Sequence, residues 1–120
     1  MKKLICIFFP VLLGLTGTNP LVAQIQNEKS EVVRVYGNCN MCKKRIEKAA
    51  KLKNKVNAEW DNETKLAKIS YDSVKTNSSD VLKRVALAGY DSDVYRASDD
   101  TYKKLHACCQ YERPPVVKKE

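Results

Sequence analysis

A chain of 120 residues holds one small domain with short extensions. Its formal charge is +8, yet lysines and arginines alternate with acids and the aromatic residues do not gather beside them, which argues against a nucleic-acid partner. One histidine, scattered carboxylates and no glycine-rich phosphate loop leave no signature of an enzyme.

The chain begins "MKKLICIFFPVLLGLTGTNPLVAQ". Lys2 and Lys3 precede an apolar run from Leu4 to Leu15, and small and turn-forming residues then lead to Ala23. This pattern predicts a secretory signal peptide over residues 1–23, and hence an exported, periplasmic protein. The run is well short of the ~20 apolar residues that a membrane-spanning helix needs. Cys6 leaves with the signal, so Cys39, Cys42, Cys108 and Cys109 remain. Outside the cytosol an even set of cysteines raises the chance of disulfides, which weighs against other uses of the thiols.

Residues 24–30 are polar and read as a linker. "EVVRVYG", Glu31–Gly37, is a strand of β-branched and aromatic residues stopped by glycine. From Met41 to Leu52, Cys42, Ile46 and Ala49 recur at helical spacing while Lys43, Lys44, Glu47 and Lys51 face outward. "KVNAEWD" and "KLAKISYD" alternate around the turn "DNET", with Val56, Ala58 and Trp60 on one face and Ala67, Ile69 and Tyr71 on the other strand's matching face. Ser78 or Ser79 is set to cap a second helix carrying Val81, Leu82, Val85 and Ala88, with Gly89 as its stop. "SDVYRA" reads as a last strand.

The order β-α-β-β-α-β over residues 31–97 predicts an α+β, ferredoxin-like fold: a four-stranded antiparallel sheet with two helices on one face. Residues 98–120 form a tail with a CC motif. Asp99 or Asp100 caps a short helix there, and "RPPVVKKE" is expected to be extended or disordered.

On this fold Cys39 lies in the loop leaving the first strand and Cys42 in the first helical turn. Unpaired N–H groups and the positive end of the helix dipole favour thiolate there. Two thiolates on one loop suit a soft ion that accepts few ligands, above all Cu(I); Zn(II) takes thiolates too but usually wants four. The same C-x-x-C spacing also marks thiol–disulfide redox sites, which sit on a larger fold. A structural disulfide here closes so small a ring that it constrains little of the unfolded chain.

With "GNCNMC" after a strand, "KKRIEKAA", the hairpin and "LAGYD" after the second helix, the stretch from Glu31 to Ala97 resembles the heavy-metal-associated domain. That family includes copper chaperones, the metal-binding domains of copper-transporting ATPases and the periplasmic mercury-binding protein. The resemblance implies that Cys39 and Cys42 are the metal ligands, and that Tyr90 lies over the metal loop. It also implies transfer of the ion to a partner by exchange of thiolate ligands. The family loop usually carries a methionine after its glycine, tucked into the core. Here Asn38 follows Gly37 and Met41 falls between the cysteines, where it serves as a substitute anchor or as a nearby thioether; packing is the commoner role of methionine.

In "LHACCQY", adjacent Cys108 and Cys109 do not pair comfortably with each other, because the backbone would have to distort. Either the tail folds back to complete the site of Cys39 and Cys42, or it forms a separate site, or its thiols enter disulfides. Ten residues, Ser98–Ala107, must return the chain; they reach about 15 Å as helix or about 33 Å extended, so the return is feasible. His106 joins the candidate ligands by its spacing. The expectation is thus an exported, non-enzymatic chaperone or buffer for Cu(I), with Ag(I), Hg(II) or Zn(II) as substitutes. It would serve a metal-transporting membrane protein or a cuproprotein, with a metal-bridged homodimer allowed. The alternative is a redox protein using the same cysteine pair.

Overall fold

The computed structural model describes residues 24–116; the expected signal peptide and the last four residues, 117–120, lie outside the described residues. Three antiparallel strands, β1 (Glu28–Arg34), β2 (Val56–Trp60) and β3 (Leu66–Asp72), form a sheet in the order β1-β3-β2. The register pairs Val33 with Ala67 and Ala67 with Trp60, so the alternate residues of all three strands share the face that meets the helices. Helices α1 (Asn40–Ala50) and α2 (Ser78–Leu87) lie on that face, α1 packing against both β2 and α2. Among the described residues no helix is long and apolar enough to cross a membrane.

The periodicities carry through to burial. Cys42, Ile46 and Ala50 of α1 and Val81, Leu82 and Val85 of α2 meet Val56, Ala58, Trp60, Ala67, Ile69 and Tyr71 in one core. Two polar devices fix α1 in place. Glu47 accepts from the Trp60 N–H (3.0 Å) and from Lys43 Nζ (2.6 Å), and Lys43 also donates to the Trp60 carbonyl (2.6 Å), tying the helix to the end of β2. At the other end Arg84 of α2 donates to the free carbonyls of Ala49 (3.3 Å) and Ala50 (2.8 Å), satisfying acceptors that a helix terminus leaves open.

Four expectations are corrected. First, the polar linker is strand from Glu28 onward, its start held by pairing with Asp72. Second, α2 is capped by Asn77, whose Oδ1 accepts the Asp80 N–H at 2.9 Å, and not by Ser78 or Ser79. Third, the fourth strand does not form; the sheet has three. Contact with β1 is limited to a Val35–Ser92 bridge, with Tyr36 N–H bonding Asp91 O (2.8 Å) and Asp93 N–H bonding Arg34 O (3.2 Å). Beyond it Ser92 Oγ accepts the N–H groups of Val94 and Tyr95, and Ser92 N–H donates to Tyr95 O, which turns the backbone away from the β1 edge.

Fourth, the cap of the short tail helix is Ser98 and not Asp99 or Asp100, and the tail folds back on the domain as far as Pro114, whose carbonyl accepts from Arg96 at 2.7 Å. Ser98 caps a short helix, α3 (Asp99–Lys103), through the Thr101 N–H, and a single 3₁₀ turn follows at Ala107–Cys109. Tyr111 is buried; its hydroxyl donates to Gly89 O (2.9 Å) and accepts the Asp91 N–H (2.7 Å). Arg113 grips the fully buried Asp91 with two nitrogens, at 2.8 and 2.9 Å, and also reaches Asp99 and Ala97 O. Burial alone would raise the Asp91 carboxyl, but the Arg113 guanidinium and the Ala97 N–H outweigh it and hold its pKa below the ordinary 3.8. Asp91 is therefore the socket of the tail.

Arg113→Met leaves a buried carboxylate without its cation and is expected to cost about 3 kcal/mol. The expected readout is a lower denaturation midpoint together with faster amide exchange over residues 105–111. Because the folded pKa of Asp91 lies below its unfolded value, this contribution is complete at neutral pH. It fades only as the pH falls through about 4 and below.

Candidate metal centre

The loop Tyr36–Cys39 rests on the indole of Trp60. Gly37 is buried, and a Cβ placed there would stand 3.0 Å from Trp60 Cζ2 and 3.2 Å from Cys42 Cβ. Trp60 Nε1 donates to Val35 O at 2.9 Å, which fixes the ring beneath the loop. The fully buried tryptophan thus provides the apolar seat that a methionine was expected to supply. Met41 is 42% exposed and is not the anchor; its Sδ lies 3.8 Å from Cys108 Sγ.

Cys39 stands at the N-cap of α1 in extended backbone conformation, with no side-chain cap bond, so the first N–H groups of the helix are open toward its sulfur. The Cys42 N–H is the main cause that draws the Cys39 thiol down to about 7; the Cys42 thiol, the Met41 N–H and the Cys109 thiol add to it against a modest cost of burial. Cys42 is fully buried beneath, and burial pushes its pKa up. The two sulfurs are 3.6 Å apart.

The tail brings its thiols to the same place. The Sγ atoms of Cys39, Cys108 and Cys109 all lie within 4.8 Å of one another, with Cys108 exposed and Cys109 buried. Cys108 and Cys109 sulfurs are 3.9 Å apart, and the Cys39 thiol lies 3.6 Å from the Cys108 carbonyl. All four cysteines among the described residues are free thiols. His106 is exposed just before the 3₁₀ turn and is not among the residues whose ligand atoms converge.

Two sulfurs bound to one ion with bonds of about 2.3 Å are at most about 4.6 Å apart. The 3.6 Å and 3.9 Å separations meet that limit without backbone movement. Tyr90 adds a second sign of fit. It is fully buried beside Cys109 and Cys42, and its hydroxyl has no hydrogen-bond partner. Burial first, and then the neighbouring sulfurs of Cys109 and Cys42, push its pKa up, so it stays a donor. A thiolate on either cysteine is the acceptor it lacks, whereas a neutral thiol is a poor one.

The residues that set this arrangement and were not foreseen are Tyr111, Arg113 and Tyr102. The Tyr102 ring meets Tyr111 edge-on at 5.2 Å, its hydroxyl donates to Tyr111 O, and Arg113 lies over its face. The sequence signal available for Tyr111 and Arg113 was "QYER" directly after the paired cysteines; Tyr102 lies before them in the short tail helix.

No family model matches the chain, and no curated protein matches it either. A solved structure described as the CopZ metallochaperone is similar, with 27% identity and a TM-score of 0.50, over 53% of this chain and 98% of that one. The likeness to copper chaperones of the heavy-metal-associated type, read first from "GNCNMC" and "LAGYD", therefore extends to the fold. It leaves nearly half of this chain without a counterpart.

In the reduced protein Cys39 is expected to alkylate first, with a midpoint near pH 7, while buried Cys42 and Cys109 lag. Iodoacetamide labelling followed by peptide mass mapping checks this; Cys42 reacting ahead of Cys39 would contradict it. Gly37→Ala is expected to lift the loop off Trp60 and cost about 1–3 kcal/mol, read from the denaturation midpoint.

Proposed function

We propose that this protein is a carrier for Cu(I), binding its cargo with Cys39 and Cys42 and closing over it with Cys108 and Cys109. The observation that carries this reading is the meeting of thiols from two distant parts of the chain, Cys39 with Cys108 and Cys109, within 4.8 Å. Soft thiolates select Cu(I) over hard cations, and Ag(I) or Hg(II) would compete for the same donors. Four thiolates would also accept Zn(II).

Burial keeps Cys42 and Cys109 protonated in the empty protein, so each gives up its proton as the ion arrives, and uptake strengthens with rising pH. Half-buried Cys39 and exposed Cys108 are the thiols an acceptor's ligands reach first. Delivery would run by stepwise exchange of thiolates to a membrane transporter or a cuproprotein. The signal-like segment supports a site of action outside the cytosol.

A second reading, thiol–disulfide exchange, is favoured by the Cys39 pKa of about 7 beside Cys42. Titrating the reduced protein with Cu(I) against a colorimetric chelator separates the two. Cys39→Ser/Cys42→Ser is expected to lose at least 100-fold in affinity. Undiminished copper binding by that variant sinks the carrier reading, and metal-independent turnover of a disulfide substrate supports the second.

A further inference from the structure

Met41 has no packing task in this fold. It is 42% exposed between the two cysteines of α1, and its sulfur lies 3.8 Å from the exposed thiol of Cys108. Cys108 in turn is 3.9 Å from Cys109 and within 4.8 Å of Cys39. Cys42 stands outside that group of three although its sulfur is 3.6 Å from Cys39. Five sulfurs thus follow one another across the mouth of the fold, Met41 Sδ beside Cys108 at one end and Cys42 Sγ beside Cys39 at the other.

We infer that each chain holds two soft monovalent ions: one between Cys39 and Cys42, the other between Cys108 and Met41, with Cys109 shared between them. This rests on the Cu(I) reading above and extends it. Spacing is the first argument. Each of the two outer pairs, at 3.6 and 3.8 Å, falls within the about 4.6 Å that two sulfurs on one ion can span. Charge is the second. Four thiolates around a single Cu(I) leave three negative charges crowded together, and a second Cu(I) removes one of them.

The donor type is the third argument. A thioether adds a soft ligand without adding charge, which suits a monovalent ion and gives nothing to a hard cation. Met41 sits on the first turn of α1, and Cys108 is held opposite by the Tyr111 and Arg113 contacts, so both donors are placed by rigid elements. No electron transfer is involved. Each cysteine that binds exchanges its S–H bond for an S–Cu bond and releases the proton to solvent.

The test is anaerobic titration of the reduced chain with Cu(I) in the presence of a competing chelator, followed by native mass spectrometry. The parent is expected to reach two copper ions per monomer, with copper–copper scattering in X-ray absorption. Met41→Leu, a change of an exposed side chain that leaves the core intact, is expected to keep the first ion and bind the second at least 10-fold more weakly. Cys108→Ser is expected to stop at one ion. A parent that saturates at one ion per chain, or a Met41→Leu variant with both affinities unchanged, overturns the inference. Failure of the underlying reading looks different: the parent then holds no copper against the chelator, whatever stands at position 41.

Discussion

The grip of Arg113 on Asp91 is the contact on which the arrangement of this protein turns. Asp91 directly follows Tyr90, at the point where the chain returns from α2 to the edge of β1, and it is fully buried. Its carboxylate takes the Ala97 N–H and two guanidinium nitrogens, so one side chain joins the end of the folded sheet to the end of the tail. Between those points lie the 3₁₀ turn and both tail cysteines. Tyr111, stacked beside Tyr90 at 5.9 Å, fills the apolar side of the same joint. The tail is thereby a structural part of the domain, and its thiols face the loop that bears Cys39 and Cys42.

Regular elements were legible because their periods are. The hairpin's alternation of Val56, Ala58 and Trp60 against Ala67, Ile69 and Tyr71 survives as a buried face, and the stripe of Val81, Leu82 and Val85 survives in α2. Such patterns depend on many residues at once, and local exceptions do not erase them. The last strand failed for a local reason that no period reports: Ser92 Oγ accepts the N–H groups of Val94 and Tyr95 and folds the backbone into a turn before a ladder can form.

The site divides in the same way. Spacing alone placed Cys39 and Cys42 at a helix start, and chain length showed that the tail had the reach to return. Which sulfur would meet which depended on single contacts far apart in sequence, such as Tyr111 with Gly89 and Arg113 with Asp91, for which a lone chain carries no periodic mark. Met41 was read as packing because methionine usually is. The bulk of Trp60 under Gly37 already occupied that space, and the side chain was left to face the tail. His106 shows the converse: near the cysteines in sequence, it is exposed and apart from them in space.

One feature of the sulfur cluster reaches beyond the site. Cys39 and Cys108 are 69 positions apart, so cargo held jointly by the loop cysteines and the tail cysteines would tie nearly the whole domain into a ring. Removing that much freedom from the unfolded chain corresponds to about 4 kcal/mol if the link persists there. Under the proposed reading the passenger is then also a removable staple. A loaded molecule would withstand heat and proteases that an unloaded one does not, and the lifetime of the carrier would report how much metal its surroundings contain.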